Sequence, residues 1–361
     1  NNIRKLISLF FKKQNMKKKS LNAKKIILRH LKNNHIYKIY NNFEKILDAN
    51  QSYAVALSGG PDSLALSFLA KCFSELNKTK IKFFIVDHML RKDSSIEAKK
   101  VQILLKKHNI SCKILIWKGK KPKSNIQSMA RNARYSLLTN ECKKLNIKTL
   151  LLGHQIDDLR ENFLIRLLRG SGLKGLVSMD KQSEYKINGI EIYRPLINFE
   201  KKDLEKVSLK VFKFYVKDPS NKNMDFKRIR IRELLKKLEL EGLDKKKLNL
   251  TIKNLKESNK SIEFYTRKNI EENCHYSNTN NKYILSNIFF EQSNEVVFRS
   301  LTYLLKKISS KYYPPRGKSV KGVIEKIKSN KFSKMTLGGC FIEKFNETVL
   351  ISYEKQKKND I

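Results

Sequence analysis

The residues best suited to chemistry begin with a polar turn that follows a short apolar segment, Tyr53 to Leu57. An amphipathic helical pattern starts directly after the turn, whose residues are Ser58, Gly59, Gly60, Pro61, Asp62 and Ser63. When a glycine-rich turn joins a strand to a helix, the free backbone N–H groups at the beginning of the helix can bind an anion. The glycines of the turn can adopt positive φ. The pattern predicts a phosphate-binding loop in which Asp62 and Ser63 act as helix caps, as ligands or as both. The alternative is an ordinary capped turn between a strand and a helix.

This turn differs from the GxxxxGK(S/T) phosphate loop because it has no lysine that would reach the β- and γ-phosphates. It resembles the pyrophosphate-binding loop of the ATP pyrophosphatases. Those enzymes cleave ATP between the α- and β-phosphates and transfer AMP to a substrate. The resemblance implies ATP as the cofactor, with Mg²⁺ carried in alongside it.

A second group of reactive side chains follows the apolar run 149–152 and contains His154, Asp157 and Asp158. Asp158 and Glu161 are spaced i, i+3, so a helix presents both carboxylates on one face. One histidine and two acids without further His or Cys make a poor zinc site. In a chain this basic, the paired acids favour a site for an ammonium group, and a solvated acidic patch is the alternative.

Arginines form a third group. Arg131 and Arg134 share one face of a predicted helix. Either the two arginines are a pair of surface charges, or their guanidinium groups neutralise the negative charge that develops on an α-phosphate. Further along, three arginines alternate with isoleucines, and that cluster most simply contacts RNA phosphates or a nucleotide: Arg228, Arg230 and Arg232.

Alternating strand and helix patterns indicate the elements that position these groups. The predicted strands cover residues 53–57, 81–86, 112–117 and 149–152, and Asp87 and His88 follow the second of them. In an open parallel sheet the carboxyl ends of the strands form the ligand crevice, so the polar groups should meet there. The predicted fold class is α/β: a parallel five-stranded nucleotide-binding sheet like that of the adenine nucleotide α hydrolases. A helical RNA-binding region and a small C-terminal α+β domain follow it.

The domain boundaries follow from changes in this pattern. The predicted helices after the first domain cover residues 244–273, 295–309 and 320–329, and two strand-like runs, 334–342 and 348–353, close the chain. Four parts result: a basic helical N-terminal extension (1–50), the ATP-binding domain (51–195), the helical RNA-binding region (196–275) and the small C-terminal domain (276–361).

The composition favours a polyanionic partner. The chain of 361 residues has 77 Lys and Arg against 34 Asp and Glu, a formal charge of +43. Nucleic acid fits this excess better than a membrane surface does, although a bias of the genome towards AT-rich codons is a competing source of lysine. No apolar run reaches the length of a membrane span, and the N-terminal segment lacks a signal-peptide cleavage site. We expect a cytoplasmic protein, and Met16 is a candidate for the true start.

The five cysteines are scattered, with no CxxC pair, which argues against a disulfide framework, a zinc ribbon and a cysteine-ligated cluster. A tRNA thiolase needs paired cysteines to handle sulfur, so this enzyme class is disfavoured. A glutamine-dependent amidotransferase would need a nucleophilic cysteine at a processed N-terminus or a glutaminase domain, and neither is visible.

The motifs together resemble those of the bacterial tRNA(Ile)-lysidine synthases. They occur in the family's order: SGGPDS, VDHMLR, ARNARY, LGHQIDDLREN, RGSGLKGL, RPL, DPSN and the arginine cluster. The resemblance covers about residues 52–235, and a weaker one reaches the C-terminal segment around Gly338 and Gly339. Leu159, Asn162 and Ile229 depart from the family's usual residues, whereas Asp158 and Glu161 are kept.

The resemblance implies a two-step reaction. ATP adenylates C2 of cytidine 34 in the CAU anticodon of tRNA(Ile), and the ε-amine of free L-lysine then displaces AMP. It implies that the turn residues 58–63 hold ATP and its departing pyrophosphate and that His154 joins the nucleotide site. It also implies that Asp158 and Glu161 receive lysine and that Arg134, rather than Arg131, stabilises the adenylation transition state. A non-catalytic RNA-binding protein with an inactive loop is the alternative from another class, and a homodimer stays open.

Overall fold

In a computed structural model, the described residues of the chain are 27–89, 93–119, 126–180, 186–216, 224–279, 281–310, 314–329 and 333–354. They divide into two compact units, Asn1–Asn249 and Leu250–Ile361. The DPSN motif, Arg91 and Met16 lie outside the described residues. The four-part division of the chain stays a prediction.

The first unit contains a five-stranded sheet in the order β3-β2-β1-β4-β5, and every neighbouring pair is parallel. This confirms the predicted fold class. Its strands are β1 (Tyr53–Leu57), β2 (Ile81–Asp87), β3 (Cys112–Ile116), β4 (Thr149–Leu151) and β5 (Glu191–Tyr193). A 3₁₀-helix (Arg29–Lys32) precedes α1 (Asn34–Glu44), α2 (Pro61–Asn77), α3 (Ser94–Lys107), α4 (Ile126–Lys144), α5 (Ile156–Leu167), α6 (Leu173–Leu176), α7 (Lys201–Phe212) and α8 (Lys227–Leu240).

Strand β1 lies at the centre of this sheet and is buried on both faces, as its apolar residues require. Val55 belongs to a core formed with α2, α3 and α7, whereas Ala54 belongs to a second core formed with α4. The basic segment before β1 contributes to the first core through the buried side chains of Leu31, Tyr40 and Phe43. These N-terminal residues are therefore part of the hydrophobic core of the first unit.

Helix α9 (Lys245–Asn273) extends from the end of the first unit into the second. The second unit then adds β6 (Cys274–Ser277), β7 (Lys282–Leu285), α10 (Ile288–Glu291), α11 (Asn294–Ser309), α12 (Gly317–Lys328), β8 (Lys334–Leu337), β9 (Cys340–Phe345) and β10 (Thr348–Tyr353). Its antiparallel sheet has the order β6-β7-β10-β9-β8, and α11 and α12 pack on one face of it. In the described part of the chain, no helix combines the length and the apolar character that crossing a membrane requires.

Two details of this unit differ from the prediction. The single strand predicted over residues 334–342 is two strands, because Gly338 and Gly339 both adopt positive φ and turn the chain into the β8–β9 hairpin. The β6–β7 hairpin was not predicted at all, since its residues are mostly half-buried or exposed and give little alternation.

Candidate active site

The carboxyl edge of the parallel sheet contains a cavity of 160 Å³ between β1 and β4. Its walls come from the ends of three strands, from the start of α2 and from the middle of α4. The lining residues are Ala56, Leu57, Ser58, Gly60, Asp62, Ser63, Val86, Arg134, Leu138, Leu152, Gly153 and His154. The structure thus brings most of the sequence-predicted site residues into one cavity.

The turn between β1 and α2 is held in shape by its own side chains. The Ser63 hydroxyl donates to the Gly60 carbonyl at 2.9 Å and accepts from the Ser58 amide at 3.2 Å. Gly59 has φ +80°, and a Cβ atom there would lie 2.7 Å from Cγ2 of Val101. Only glycine satisfies both conditions, so the turn is preorganised with the N-terminus of α2 at the cavity.

Gly153 brings the turn after β4 against this loop. A Cβ atom at Gly153 would lie 3.1 Å from the backbone of Asp62 and 3.1 Å from the amide nitrogen of Ser63. The lack of a side chain at Gly153 therefore allows the turn that carries His154 to pack directly on the first turn of α2.

Asp62 is largely buried, and its Oδ1 atom has no hydrogen-bond partner among the described residues. Burial, together with the negative charge of Asp158, raises the pKa of the Asp62 carboxyl to about 7, although the positive charge of Lys201 opposes the shift. A carboxylate with an unused buried oxygen is suited to bind a cation or a proton donor.

Helix α5 begins with a capping box. The side chain of Gln155 accepts from the amide of Asp157 at 2.6 Å, and Oδ2 of Asp158 accepts from the Gln155 amide at 3.1 Å. One oxygen of Asp158 thus fixes the start of α5. The Asp158 carboxylate is also close enough to Asp62 for the two charges to interact.

Arg160 anchors the same helix from inside the first unit. Its side chain is 1% exposed and donates to Asp157 at 2.5 Å, to Glu200 at 3.1 Å and to Asn249 at 3.0 Å. These bonds fix α5 to the segment before α7 and to the start of α9. Arg160 does not stand out in the sequence, because two of its three partners, Glu200 and Asn249, are far away along the chain.

Glu161 is also 1% exposed, and its partner is Arg232 on α8. Nε of Arg232 donates to Oε1 of Glu161 at 2.5 Å, and Nη2 lies 3.5 Å from Oε2. Burial raises the pKa of Glu161, whereas the hydrogen bond from Arg232 opposes the rise. The predicted acid pair is therefore asymmetric: Glu161 is bound to a guanidinium, whereas Asp158 bonds to the backbone.

The opposite wall of the cavity is basic. Arg134 lines the cavity, whereas Arg131 is exposed and donates to the hydroxyl of Tyr135 at 3.2 Å. Burial and then the charges of Arg194 and Arg134 hold the pKa of His154 well below its usual value, so its imidazole is neutral. Nδ1 of His154 is buried without a hydrogen-bond partner among the described residues.

Arg194 follows β5 directly and was noticed in the sequence only as part of the RPL motif. It is 9% exposed, it donates to the Asp180 carbonyl at 2.9 Å, and its buried Nε has no hydrogen-bond partner in the described ranges. Arg194 adds positive charge next to His154.

Asp87 and His88 are not among the residues that line the cavity. Asp87 accepts from the amide of Met89 at 2.9 Å and from the hydroxyls of Ser94 and Ser95 at 2.7 and 2.5 Å. Burial opposes the effect, but these bonds lower the pKa of Asp87. Asp87 therefore fixes the start of α3 to the end of β2.

Within the described residues, no group of three or more His, Cys, Asp or Glu side chains is arranged to hold a metal ion. The five cysteines are free, and four of them are buried: Cys72, Cys112, Cys142 and Cys340, with Cys274 half-buried.

Comparisons with known proteins find relatives over most of this chain. The PP-loop domain family model matches residues 29–238. The tRNA(Ile)-lysidine synthase of Wolbachia pipientis wMel is 35% identical over 315 residues, which cover 86% of this chain and 73% of that protein. The tRNA(Ile)-lysidine synthase of Orientia tsutsugamushi (strain Boryong) is 33% identical over 318 residues, which cover 85% and 70% of the two chains.

A solved structure shows the same fold at lower identity. The U34-tRNA thiolase of Methanococcus maripaludis superposes with a TM-score of 0.51 and 19% identity, covering 61% of this chain and 79% of that one. At this identity the likeness concerns the fold alone.

Proposed function

The chain belongs to the tRNA(Ile)-lysidine synthase family of PP-loop proteins, and from this premise we propose how its cavity performs the family's reaction. It is an ATP-dependent ligase that forms a carbon–nitrogen bond on tRNA. ATP activates C2 of cytidine 34 in the CAU anticodon of tRNA(Ile) by adenylating the oxygen O2 on that carbon, and the ε-amine of lysine then displaces AMP to give lysidine. The thiolase and the non-catalytic alternatives are not favoured.

ATP occupies the cavity with its phosphates at the start of α2. The backbone amides of the turn and the positive end of the helix bind the β- and γ-phosphates, which leave as pyrophosphate. The turn consists of Ser58, Gly59, Gly60, Pro61, Asp62 and Ser63. His154 contributes a neutral imidazole that accepts or donates one hydrogen bond to the nucleotide.

Mg²⁺ fits the acidic side of this cavity. Asp62 has a buried oxygen without a partner among the described residues and is the residue that would hold the ion. Magnesium characteristically takes one or two carboxylates and completes its shell with phosphate oxygens and water. When bound, the ion would neutralise phosphate charge, and Asp62 would be ionised.

In the first step, O2 of cytidine 34 attacks the α-phosphorus of ATP and the bond to the pyrophosphate oxygen breaks. Negative charge grows on the phosphate oxygens in the transition state. Arg134 lines the cavity and supplies a guanidinium from a largely buried position, where a charge is only weakly screened. We assign to Arg134 the stabilisation of this charge.

In the second step, the lysine ε-nitrogen attacks C2 and the C2–O2 bond breaks, so that AMP leaves with O2. The amine must lose a proton before or during the attack. Asp158 and Glu161 provide two carboxylates against the one guanidinium of Arg232, so an ammonium group restores the charge balance. We assign both acids to lysine, with Asp158 as the carboxylate nearer to Asp62.

The lysine-rich helical region 196–275 provides the contact with the tRNA, in keeping with the charge of +43. A homodimer is the remaining expectation about partners, and the molar mass in solution tests it. The single observation that carries the proposal is that four residues of the turn line one cavity together with Arg134 and His154: Ser58, Gly60, Asp62 and Ser63.

The direct test incubates the protein with ATP, lysine and a tRNA(Ile) transcript that has a CAU anticodon. Mass spectrometry of the digested tRNA should show cytidine converted to lysidine, with one pyrophosphate released for each lysine incorporated. A transcript with cytidine 34 changed to uridine is the matched control and should stay unmodified. Pyrophosphate release without any change in the tRNA would refute the proposed reaction.

A further inference from the structure

The three arginines of α8 have three different environments, although they alternate along one short stretch. Nη1 of Arg230 donates to the carbonyls of Met224 and Asp225, both at 2.8 Å, and thereby closes the loop before its own helix. Arg232 binds the buried carboxylate of Glu161. Arg228 is exposed and makes no hydrogen bond or ion pair with the rest of the described chain.

The charge of Arg228 nevertheless acts on two residues that line the cavity. Arg228 precedes Arg232 by four residues, so the two side chains share one face of α8. Its positive charge acts on Arg134 and on His154, where it adds to the effects of burial and of nearer arginines that lower the pKa of each group. Glu161 also feels this charge. One exposed guanidinium is thus available near two residues of the cavity lining.

We propose that the Glu161–Arg232 ion pair is a positioning device that docks α8 on α5 and keeps Arg228 at the mouth of the cavity, where Arg228 binds a phosphate oxygen of ATP. The proposal rests on the function proposed above and divides the arginine cluster by role. Arg228 binds the nucleotide, Arg232 acts through Arg228, and Arg230 shapes the loop.

The burial of Glu161 makes the docking specific. An ionised carboxylate that is 1% exposed needs a charged partner, because an unpaired ion in such a place is strongly disfavoured. Ile229, Ile231 and Leu235 are buried and give α8 its apolar contact, but apolar contact alone does not fix the position along the helix. The two N–H groups of Arg232 on one carboxylate do fix it.

The test compares Arg228→Ala, Arg232→Ala and the double variant by their rates of pyrophosphate release with ATP and tRNA. Each single change should slow this step roughly tenfold or more, as expected for losing a charged group at a reacting phosphate. The double variant should be no slower than Arg228→Ala alone, because Arg232 acts through Arg228. Lys236→Ala is the matched control: it removes a positive charge one turn later on the same face and should leave the rate unchanged.

Losses that multiply in the double variant would overturn the proposal, as would an Arg232→Ala enzyme that adenylates normally. If Arg232→Ala fails to fold, which thermal unfolding reveals, Arg232→Lys keeps the charge but loses the two-point contact and allows the same comparison. A wild-type protein that releases no pyrophosphate would instead refute the proposed function. The two failures are therefore distinguishable.

Discussion

At the scale of single residues, Asp62 combines a functional position with a cost in stability. Its unfolded pKa is 3.8 and its folded pKa about 7, because burial disfavours the ionised carboxylate. Because the pKa is higher in the folded state, the protonated carboxyl of Asp62 makes its full contribution to stability below pH 3.8. This contribution is lost as the pH rises through 7. At pH 8 the native protein therefore carries a charge at Asp62 that Lys201 offsets in part and that a bound cation would offset further.

We predict that Asp62→Asn raises the unfolding temperature at pH 8 and leaves it nearly unchanged at pH 4. For a unit of this size, one kcal/mol corresponds to about 2 to 4 °C. The same variant should lose pyrophosphate release, since the amide no longer binds a cation. Calorimetry at the two pH values checks the first part, and an equal shift at both would show that Asp62 does not titrate near 7.

Asp158 allows a cleaner test of the lysine site than Glu161 does, because Glu161 also binds Arg232. Asp158→Asn keeps an oxygen for the Gln155 amide, so α5 stays capped while the charge is removed. A hydrogen bond to a charged group is worth about 1.5 to 3 kcal/mol, so the KM for lysine should rise roughly 10- to 100-fold.

Pyrophosphate release by Asp158→Asn should stay near the wild-type rate, and adenylated tRNA should accumulate when lysine is scarce. Both half-reactions are measured on the same preparation, with the exposed Glu233→Gln as a charge-matched control. Equal loss in the two half-reactions would place Asp158 at the nucleotide and not at lysine.

At the scale of elements, the turn between β1 and α2 depends on the backbone of Gly59. We predict that Gly59→Ala impairs ATP binding, because the residue has φ +80° and the new methyl group would lie 2.7 Å from a methyl of Val101. Gly172→Ala is the matched control, since Gly172 has a negative φ and no atom within 4 Å of the added carbon. The dissociation constants for ATP of the two variants should differ by roughly tenfold or more, which corresponds to a loss of about 1.4 kcal/mol in binding free energy.

A normal ATP affinity in Gly59→Ala would mean that the turn tolerates a shift of its backbone. The stability of this variant serves as a check, because a non-glycine residue at positive φ costs about 1 kcal/mol or more without preventing folding.

The same elements show how much the sequence predicts. The turn 58–63 was predicted because its strand, glycines and helix cap lie within one short stretch, so local patterns are enough. The bond between Arg232 and Glu161 joins residues 71 positions apart, and no local pattern encodes it. Asp87 was grouped with the ligand edge, yet its hydroxyl partners Ser94 and Ser95 make it part of the connection to α3. Pairings between distant elements are what the sequence alone leaves undetermined.

At the scale of the whole molecule, the charge of +43 has a measurable consequence. We predict that the affinity for tRNA falls steeply with salt, with a log–log slope of about −0.7 to −0.9 for each phosphate neutralised. Filter binding between 50 and 200 mM salt measures the slope, and Arg228→Ala should change it little if that side chain binds ATP. A flat response would show that the excess lysine reflects genome composition.

The close approach at Gly153 links two turns that are distant in sequence. A methyl group at position 153 would press on the backbone of Asp62, so a larger residue there requires the start of α2 to shift. Substitutions in the loop after β4 are therefore constrained by the loop after β1, although 90 residues separate the two.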